Sequence, residues 1–258
     1  MEYKAFAFDI DGTLTVPGSF EYVESAVKAI RELQKIGKKI IICSGRPPQS
    51  INDIKNRGVF PDYFACSNAN LLADSEGKVF FSNKIPRDVF EDVNEYCRKN
   101  NIGLFWKFES GLFAYVISDR IIELFSGSDF SHYYPNPDPE ELPNSGTLTC
   151  SEEVKNELYD HFSDRIECVR GERSIYDINT KNYSKSIGLA KLLELIDVAP
   201  EQCMAFGDSE NDIEMLKFAG MGVCMGDGIE ICRKNADYVT AATYDDGILK
   251  ALQHFGIL

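Results

Sequence analysis

The sequence predicts an α/β protein: a Rossmann-like parallel sheet core into which a smaller α+β domain is inserted. Short apolar runs alternate with helical periodicities at the start of the chain, and the same alternation returns near its end. Aromatic strands joined by a short turn lie between these two parts. The length of 258 residues suits one large domain or two small ones.

The first part of the chain alternates strands with helices. Lys4–Ile10 is a short apolar run that predicts a buried strand, and apolar residues then recur at helical spacing over residues 23–36. Further along, the patterns predict a strand at Lys39–Cys43, a helix over 49–57 and a strand at Asp62–Cys66. This order favours parallel strands joined by right-handed crossovers.

The C-terminal part repeats the same order. Ser184 is expected to cap a helix that carries apolar residues at helical spacing. Strands are predicted at Cys203–Phe206, Met221–Cys224 and Tyr238–Thr240, with helices between them and a last helix that ends at His254. These are again βα units, so we expect them to extend the same sheet.

The middle part mixes hairpins with helices. After a helix that follows Pro86, the pattern predicts aromatic strands at Leu104–Phe108 and Leu112–Ile117 and a proline-rich loop over 133–146. A strand, a helix and two more strands then run from Thr147 to Ile178. We therefore expect a core made of residues 1–82 and 181–258 and an inserted α+β domain made of residues 83–180.

Charge and cysteine content limit the partners and the compartment. The formal net charge is −14, and such a field repels nucleic acid and anionic membranes. The eight cysteines form no C-x-x-C pair, which indicates a reducing compartment rather than zinc sites or disulfides. The N-terminal residues do not resemble a signal peptide and no apolar run is long enough to span a membrane. We expect a soluble, cytoplasmic protein, with no prediction for its oligomeric state.

Polar clusters follow several of the predicted strands. Asp9 and Asp11 come directly after the first strand, Ser44-Gly45-Arg46 after the second, and a run from Asp208 to Asp212 after the strand at Cys203–Phe206. Lys185 lies in the first turn of the helix that re-enters the core. Ligands of parallel sheets bind beyond the carboxyl ends of the strands, so we expect these clusters to converge.

The chemistry of these residue types points to phosphoryl transfer. Acids gathered at one sheet edge repel each other unless a cation lies among them, and carboxylates with carbonyls suit Mg²⁺. The Ser44 hydroxyl, the Gly45 amide and the Lys185 ammonium are donors suited to a phosphoryl group. An ionised aspartate can attack phosphorus, and a second carboxyl nearby can serve as general acid and base. Asp9 and Asp11 have the spacing for that pair.

Taken in order, these clusters resemble the four motifs of the haloacid dehalogenase superfamily, and the insert resembles the type-IIB cap of Cof-like sugar phosphatases. The resemblance implies Asp9 as nucleophile, Asp11 as general acid and base, and Ser44 and Lys185 as phosphate ligands. It also implies Mg²⁺ held by the Asp9 carboxylate, the Asp11 carbonyl and Asp208. Supporting roles would fall to Asn211, Asp212, Gly45 and Arg46, with Asn211 and Asp212 near the metal and Gly45, Arg46 and Asn211 near the substrate.

The expected function is therefore a Mg²⁺-dependent phosphatase that acts on a small phosphorylated metabolite, in particular a sugar phosphate. A phosphomutase of the same superfamily and a non-catalytic metabolite-binding protein are the alternatives. One departure from the family pattern is Asn68-Ala69-Asn70, where relatives often carry Asn-Gly-Ala. In the insert, Lys107 faces away from Trp106 on its strand and is a possible substrate contact, whereas the aromatic residues are expected to form the core of that domain.

Overall fold

The computed structural model describes residues 2–51, 53–119, 136, 138–170 and 175–258. It divides into two compact units, of which unit 1 comprises Met1–Phe81 with Ser184–Leu258, and unit 2 comprises Ser82–Tyr183. Residues 133–135 and 137 of the predicted proline-rich loop lie outside the described residues. None of the helices in the described part of the chain is long and apolar enough to cross a membrane.

Unit 1 is built from strands that alternate with helices. Its first segment contains β1 (Ala5–Phe8), α1 (Glu24–Lys35), β2 (Lys39–Cys43), α2 (Asp53–Asn56), β3 (Tyr63–Cys66), β4 (Leu71–Asp74) and β5 (Val79–Ser82). Its second segment continues the unit after the insertion, and its elements are numbered after those of unit 2. The short α2 replaces the longer helix predicted over 49–57, because Pro48–Ser50 forms a separate 3₁₀ turn.

The described residues of unit 2 form an antiparallel sheet and two helices. Its elements are α3 (Arg87–Lys99), β6 (Gly103–Lys107), β7 (Leu112–Val116), β8 (Ser145–Thr149), α4 (Glu152–Phe162), β9 (Ile166–Arg170) and β10 (Ile175–Thr180). The strand order is β7-β6-β8-β10-β9, with β8 in the centre. Ser151 caps α4, since its side chain accepts a hydrogen bond from the backbone of Val154.

The second segment of unit 1 returns to the parallel sheet. It contains α5 (Lys185–Leu195), β11 (Cys203–Gly207), α6 (Ile213–Phe218), β12 (Met221–Cys224), α7 (Glu230–Asn235), β13 (Tyr238–Val239) and α8 (Gly247–His254). The sheet order is β13-β12-β11-β1-β2-β3-β4-β5. The strands from β13 to β3 pair in parallel, as the βα pattern predicts, and the predicted α/β fold is confirmed.

Buried side chains cover both faces of the unit 1 sheet. Alternate residues of β1 divide between the two faces: Phe6 and Phe8 pack on one, Ala5 and Ala7 on the other. Strands buried on both faces read as continuous apolar runs, which is how β1 and β2 appear in the sequence. The central strands are thereby fixed in register, and so are the loops at their carboxyl ends.

Two details differ from the sequence predictions. The sheet does not end at β3, because β4 pairs with β3 in antiparallel orientation and β5 follows β4 at the edge. Ser184 occupies the N-cap position of α5, but its side chain makes no capping hydrogen bond. Its hydroxyl lies 2.9 Å from the Ser186 hydroxyl instead, so the expectation that Ser184 caps the helix is wrong at the level of the side chain.

The two faces of the unit 2 sheet differ in polarity. Trp106 is fully buried in an apolar core with residues of α3 and α4, as expected for the aromatic strands. Lys107, its neighbour on β6, lies on the opposite face and forms a buried ion pair with Asp177 at 2.6 Å. The Thr147 hydroxyl donates to the same Asp177 oxygen at 2.9 Å. Lys107 is therefore part of a buried polar network within unit 2.

Candidate active site

The candidate active site lies at the carboxyl ends of the three central strands of unit 1. β1 pairs with β11 on one side and with β2 on the other, with Phe8 opposite both Phe206 and Ile42. The residues that follow these strands are therefore neighbours. The Asp9 amide donates to the Phe206 carbonyl at 3.0 Å, which continues the pairing to the first residue of the candidate site.

Lys185 lies between two carboxylates. Its Nζ donates to Asp9 Oδ1 at 2.7 Å and to Asp212 Oδ1 at 2.6 Å, and its side chain has no exposed surface. Burial alone lowers the pKa of a lysine, but the charges of Asp212 and Asp9 outweigh it and raise the pKa of Lys185 well above its usual value. Lys185 is thus a permanent positive charge that links the first and last motifs.

Asp212 supports the loop that carries Asp208. Its Oδ2 accepts hydrogen bonds from the backbone amides of Asp208 at 3.0 Å and Ser209 at 3.1 Å. Both oxygens of Asp212 are therefore engaged, one by Lys185 and one by the backbone. The arrangement fixes the direction in which Asp208 leaves the strand, which assigns Asp212 a supporting position.

Asp208 faces the loop after β1. The Thr13 hydroxyl donates to Asp208 Oδ1 at 3.0 Å. Gly12 has a φ of +84°, and a Cβ atom there would lie 2.4 Å from Asp208 Oδ2. Only glycine allows the backbone to approach the carboxylate so closely. The sequence motif contains Thr13, but its role as a partner of Asp208 depends on this packing and was not predicted.

Three carboxylates converge to form a potential metal site. Oxygens of Asp9, Asp208 and Asp212 lie within 4.8 Å of one another. Burial raises the pKa of Asp9 to about 8, although Lys185 opposes the shift. Burial, followed by the charges of Asp212 and Asp9, raises the pKa of Asp208 to about 9. A metal ion requires its carboxylate ligands to be deprotonated; with all three ionised, the single ammonium of Lys185 leaves a net charge of −2, which a divalent cation would balance.

Asp11 pairs with Arg46. Its two oxygens accept hydrogen bonds from Arg46, with Nε at 2.9 Å from Oδ2 and Nη2 at 2.5 Å from Oδ1. Arg46 also lies over the ring of Phe20, with 5.4 Å between the guanidinium carbon and the ring centroid. The structure therefore brings Arg46 to Asp11, whereas the sequence suggested only a position near the substrate.

The loops after β2 and β3 are linked to each other. The Ser44 hydroxyl accepts from the Arg46 amide at 3.2 Å, and the Ser44 carbonyl accepts from the Asn68 amide at 3.0 Å. Gly45, between Ser44 and Arg46, is half-buried. Asn211 donates through Nδ2 to the Asn68 side-chain oxygen at 3.0 Å. Asn68 thus connects the Ser44 loop with the Asp208–Asp212 loop.

The family-atypical segment after β3 adopts an unusual backbone. Ser67, Asn68 and Ala69 all have positive φ values, between 52° and 62°. Residues other than glycine adopt this left-handed conformation at an energetic cost. Ala69 is fully buried against Gly188 of α5, where a Cβ atom would lie 2.3 Å from the Ala69 methyl carbon. The methyl group that Ala69 adds is therefore accommodated by a glycine on the helix that carries Lys185.

Comparison with known proteins places this chain in a family. A model of the haloacid dehalogenase-like hydrolase family matches residues 6–252, which is nearly the whole chain. The chain belongs to this family. It is a Cof-like phosphatase of the haloacid dehalogenase superfamily, as the four motifs predict.

Three relatives illustrate the similarity. The 5-amino-6-(5-phospho-D-ribitylamino)uracil phosphatase of Bacillus subtilis is 25% identical over 257 residues, which cover 99% of this chain and 96% of that protein. The structure of a subclass IIB sugar phosphatase of the superfamily aligns with a TM-score of 0.87 and 29% identity, over 99% of this chain and 100% of the other.

The third relative is longer. It is a Streptococcus pyogenes protein whose name joins a phosphatase to a peptidyl-prolyl cis-trans isomerase, and it is 27% identical over 263 residues. The alignment covers 99% of this chain but 54% of that protein. This chain therefore spans about half the length of the Streptococcus relative.

Proposed function

We propose that this protein is a Mg²⁺-dependent phosphatase of small phosphorylated sugars or sugar-like metabolites, with Asp9 as nucleophile and Asp11 as general acid and base. The observation that supports the proposal most directly is the group of carboxylates around Lys185. One buried ammonium holds Asp9 and Asp212, and Asp208 lies beside them. Such a site combines a fixed nucleophile with a place for a divalent cation.

Asp9 is held in a fixed orientation. Its backbone continues the β1–β11 pairing, and its Oδ1 is bound by Lys185. We propose that the Asp9 carboxylate attacks phosphorus, forms an aspartyl phosphate and releases the alcohol of the substrate. Water then attacks the phosphorus atom of this intermediate, which releases inorganic phosphate and regenerates Asp9. Positioning a reactant in this way removes much of the entropic barrier of such a step.

Asp11 would donate a proton to the leaving oxygen and later take one from the attacking water. In the structure both Asp11 oxygens accept hydrogen bonds from Arg46. At least one of these bonds must break before Asp11 carries a proton to the leaving group. Arg46 would therefore hold Asp11 between reaction steps.

The carboxylate set fits Mg²⁺ by its chemistry. Hard oxygen donors and a net charge of −2 suit this ion, and the raised pKa values of Asp9 and Asp208 are what a cation would reverse. Asp9 and Asp208 would hold the ion together with the Asp11 carbonyl, while Asp212 and Asn211 orient the loop. A bound Mg²⁺ would neutralise charge on the phosphoryl oxygens.

The substrate class is proposed from the relatives and from the protein's charge. Two of the relatives are named for a sugar phosphate activity and for a phosphorylated ribityl compound. With a net charge of −14, the protein does not favour polyanionic polymers. All eight cysteines are free thiols, which accords with the cytoplasmic location that we propose.

Hydrolysis of p-nitrophenyl phosphate with Mg²⁺ tests the proposal, followed by a panel of phosphorylated sugars. Asp9→Asn keeps the size of the side chain but removes the attacking charge, so kcat should fall by about 10³-fold or more. Asp197→Asn is the matched control. Asp197 is exposed in the same unit with a φ of 55°, a conformation that asparagine tolerates.

The control should retain wild-type kcat. If Asp9→Asn kept more than about a tenth of wild-type activity, Asp9 would not be the nucleophile. Turnover that was equal in Mg²⁺ and in EDTA would contradict the metal dependence. A wild-type protein that hydrolysed p-nitrophenyl phosphate but none of the phosphorylated sugars would refute only the substrate class.

A further inference from the structure

A buried threonine outside the four motifs contacts the loop that carries Asp9 and Asp11. Thr243 lies in a 3₁₀ turn after β13, the last strand of the unit 1 sheet, and is 1% exposed. Its Oγ1 lies 2.5 Å from the carbonyl oxygen of Gly12, a residue 231 positions away. A carbonyl oxygen only accepts hydrogen bonds, so the Thr243 hydroxyl must donate here.

The Gly12 carbonyl belongs to a peptide group that lies between two residues of the candidate site. Asp11 precedes Gly12, and Thr13 follows it and donates to Asp208 Oδ1. Gly12 itself packs so closely under Asp208 that it leaves no space for a Cβ atom. A rotation of the Gly12–Thr13 peptide would therefore move Thr13 away from Asp208 and shift the Asp11 backbone.

Thr243 is itself fixed by the loop after β12. Its backbone amide donates to Asp227 Oδ1 at 2.9 Å, and its hydroxyl lies 3.0 Å from the same oxygen. The hydroxyl has one proton, which the shorter contact to Gly12 takes. Asp227 is exposed and holds Thr243 through the amide. The contact thus links the loops after β12 and β13 to the loop after β1.

We propose that Thr243 is a positioning residue for the phosphatase reaction: its hydroxyl fixes the Gly12–Thr13 peptide and thereby the placement of Asp11 and Asp208. The inference rests on the proposed function, because that function gives the residues of the loop after β1 their roles in the reaction. Thr243 does not touch the reacting atoms. Its contribution is the geometry of the groups that do, and errors of about 1 Å in such geometry cost about 10²-fold in rate.

The same turn region offers a matched control for the test. Thr240 is also buried, at 7% exposed, and its Oγ1 donates to the Gly247 carbonyl at 2.7 Å. Thr240→Val and Thr243→Val each remove one hydroxyl from a buried carbonyl, so their effects on thermal stability should be similar. Of these two threonines, Thr243 bonds to Gly12 and Thr240 bonds to Gly247, so a purely structural role predicts equal kinetics in the two variants.

The experiment compares Thr243→Val, Thr243→Ser and Thr240→Val with wild type. The measurements are kcat and KM for p-nitrophenyl phosphate at saturating Mg²⁺, the Mg²⁺ Kd by calorimetry, and the melting temperature. We expect Thr243→Val to lower kcat about tenfold or more below Thr240→Val and to weaken Mg²⁺ binding, with KM changing less than kcat. Thr243→Ser retains the donor and should stay close to wild type.

Equal kcat and equal Mg²⁺ Kd in Thr243→Val and Thr240→Val would overturn the inference. If Thr243→Val does not fold, Asp227→Ala replaces it in the test. Asp227 is exposed, and its removal deprives the Thr243 amide of its hydrogen-bond acceptor. A fall in kcat with an unchanged melting temperature supports positioning, and an unchanged kcat overturns it. A wild-type protein without phosphatase activity would refute the proposed function instead, and the calorimetric Kd values would still test the role of Thr243.

Discussion

Replacing Lys185 by methionine tests whether its charge holds the candidate site together. Methionine has a similar length and keeps most of the apolar contacts, but it leaves Asp9 and Asp212 without their shared partner. Removing one member of a buried ion pair costs about 3–5 kcal/mol, because the remaining charge is buried and uncompensated. We expect a loss of this size in the free energy of unfolding at pH 9 without Mg²⁺, above the pKa of about 8 that Asp9 has beside Lys185.

The loss should depend on pH in a defined direction. Lys185 lowers the pKa of Asp9, which burial otherwise raises, so its removal favours the protonated carboxyl. Protonation abolishes the uncompensated charge. The pKa of Asp9 is about 8 with Lys185 present and higher without it, so the destabilisation by Lys185→Met should shrink as the pH falls from 9 toward 6.

Urea denaturation at pH 6, 7.5 and 9, followed by circular dichroism, measures the effect. Lys191→Met is the control. Lys191 is exposed on the same helix, α5, with its ammonium 5.0 Å from the centroid of the Phe81 ring, so the change should cost less than about 1 kcal/mol. The single tryptophan, Trp106, lies in unit 2, so its fluorescence reports the unfolding of that unit separately. A loss below about 1 kcal/mol at pH 9, or one equal at pH 6 and pH 9, would refute the reasoning.

Three further outcomes are expected. The raised pKa values of Asp9 and Asp208 contribute stability that is fully present below about pH 4 and is lost as the pH rises toward 8–9. The increase in melting temperature caused by Mg²⁺ should therefore grow across this pH range. An increase that does not depend on pH would contradict this expectation. Thr13→Val should raise the Mg²⁺ concentration for half-maximal activity about tenfold, and Thr13→Ser should restore it. Gly188→Ala should cost about 1–3 kcal/mol in urea denaturation, and a second change, Ala69→Gly, should restore less than half, because the Ala69 carbonyl oxygen lies 2.4 Å from the added Cβ.

The sequence predicts the parts of the fold in which the same pattern of apolar and polar residues recurs. β1, β2 and β11 are apolar runs followed at once by polar residues, and this predicts both the sheet and the edge at which Asp9 and Asp208 lie. The sequence does not predict the hairpin that adds β4 and β5, because Leu71–Asp74 is too short to show a periodicity. The Asp74–Gly77 segment, which closes a turn with Gly77 at a φ of +87°, was the available signal.

The partners of individual side chains can be identified only from the folded structure. The position of Lys185 in a motif predicts that it belongs to the site, but nothing in the order of residues shows that it is fully buried between Asp9 and Asp212. The same holds for Arg46, whose guanidinium engages Asp11, and for Thr243, whose contact with Gly12 joins the two ends of the chain. These contacts depend on how separate loops meet, which local patterns do not encode.

The interruption of unit 1 by unit 2 has a consequence for biosynthesis. The central strand β1 pairs with β11, and Ala5 lies opposite Cys203, about 200 positions later. While a ribosome moves from β2 to β11, one edge of β1 lacks its partner; at 5–20 residues per second this takes roughly 8–30 s. Unit 2 is continuous from Ser82 to Tyr183 and can fold during that interval. An unpaired central edge is a template for pairing with other chains, so we expect the nascent protein to need protection until β11 emerges.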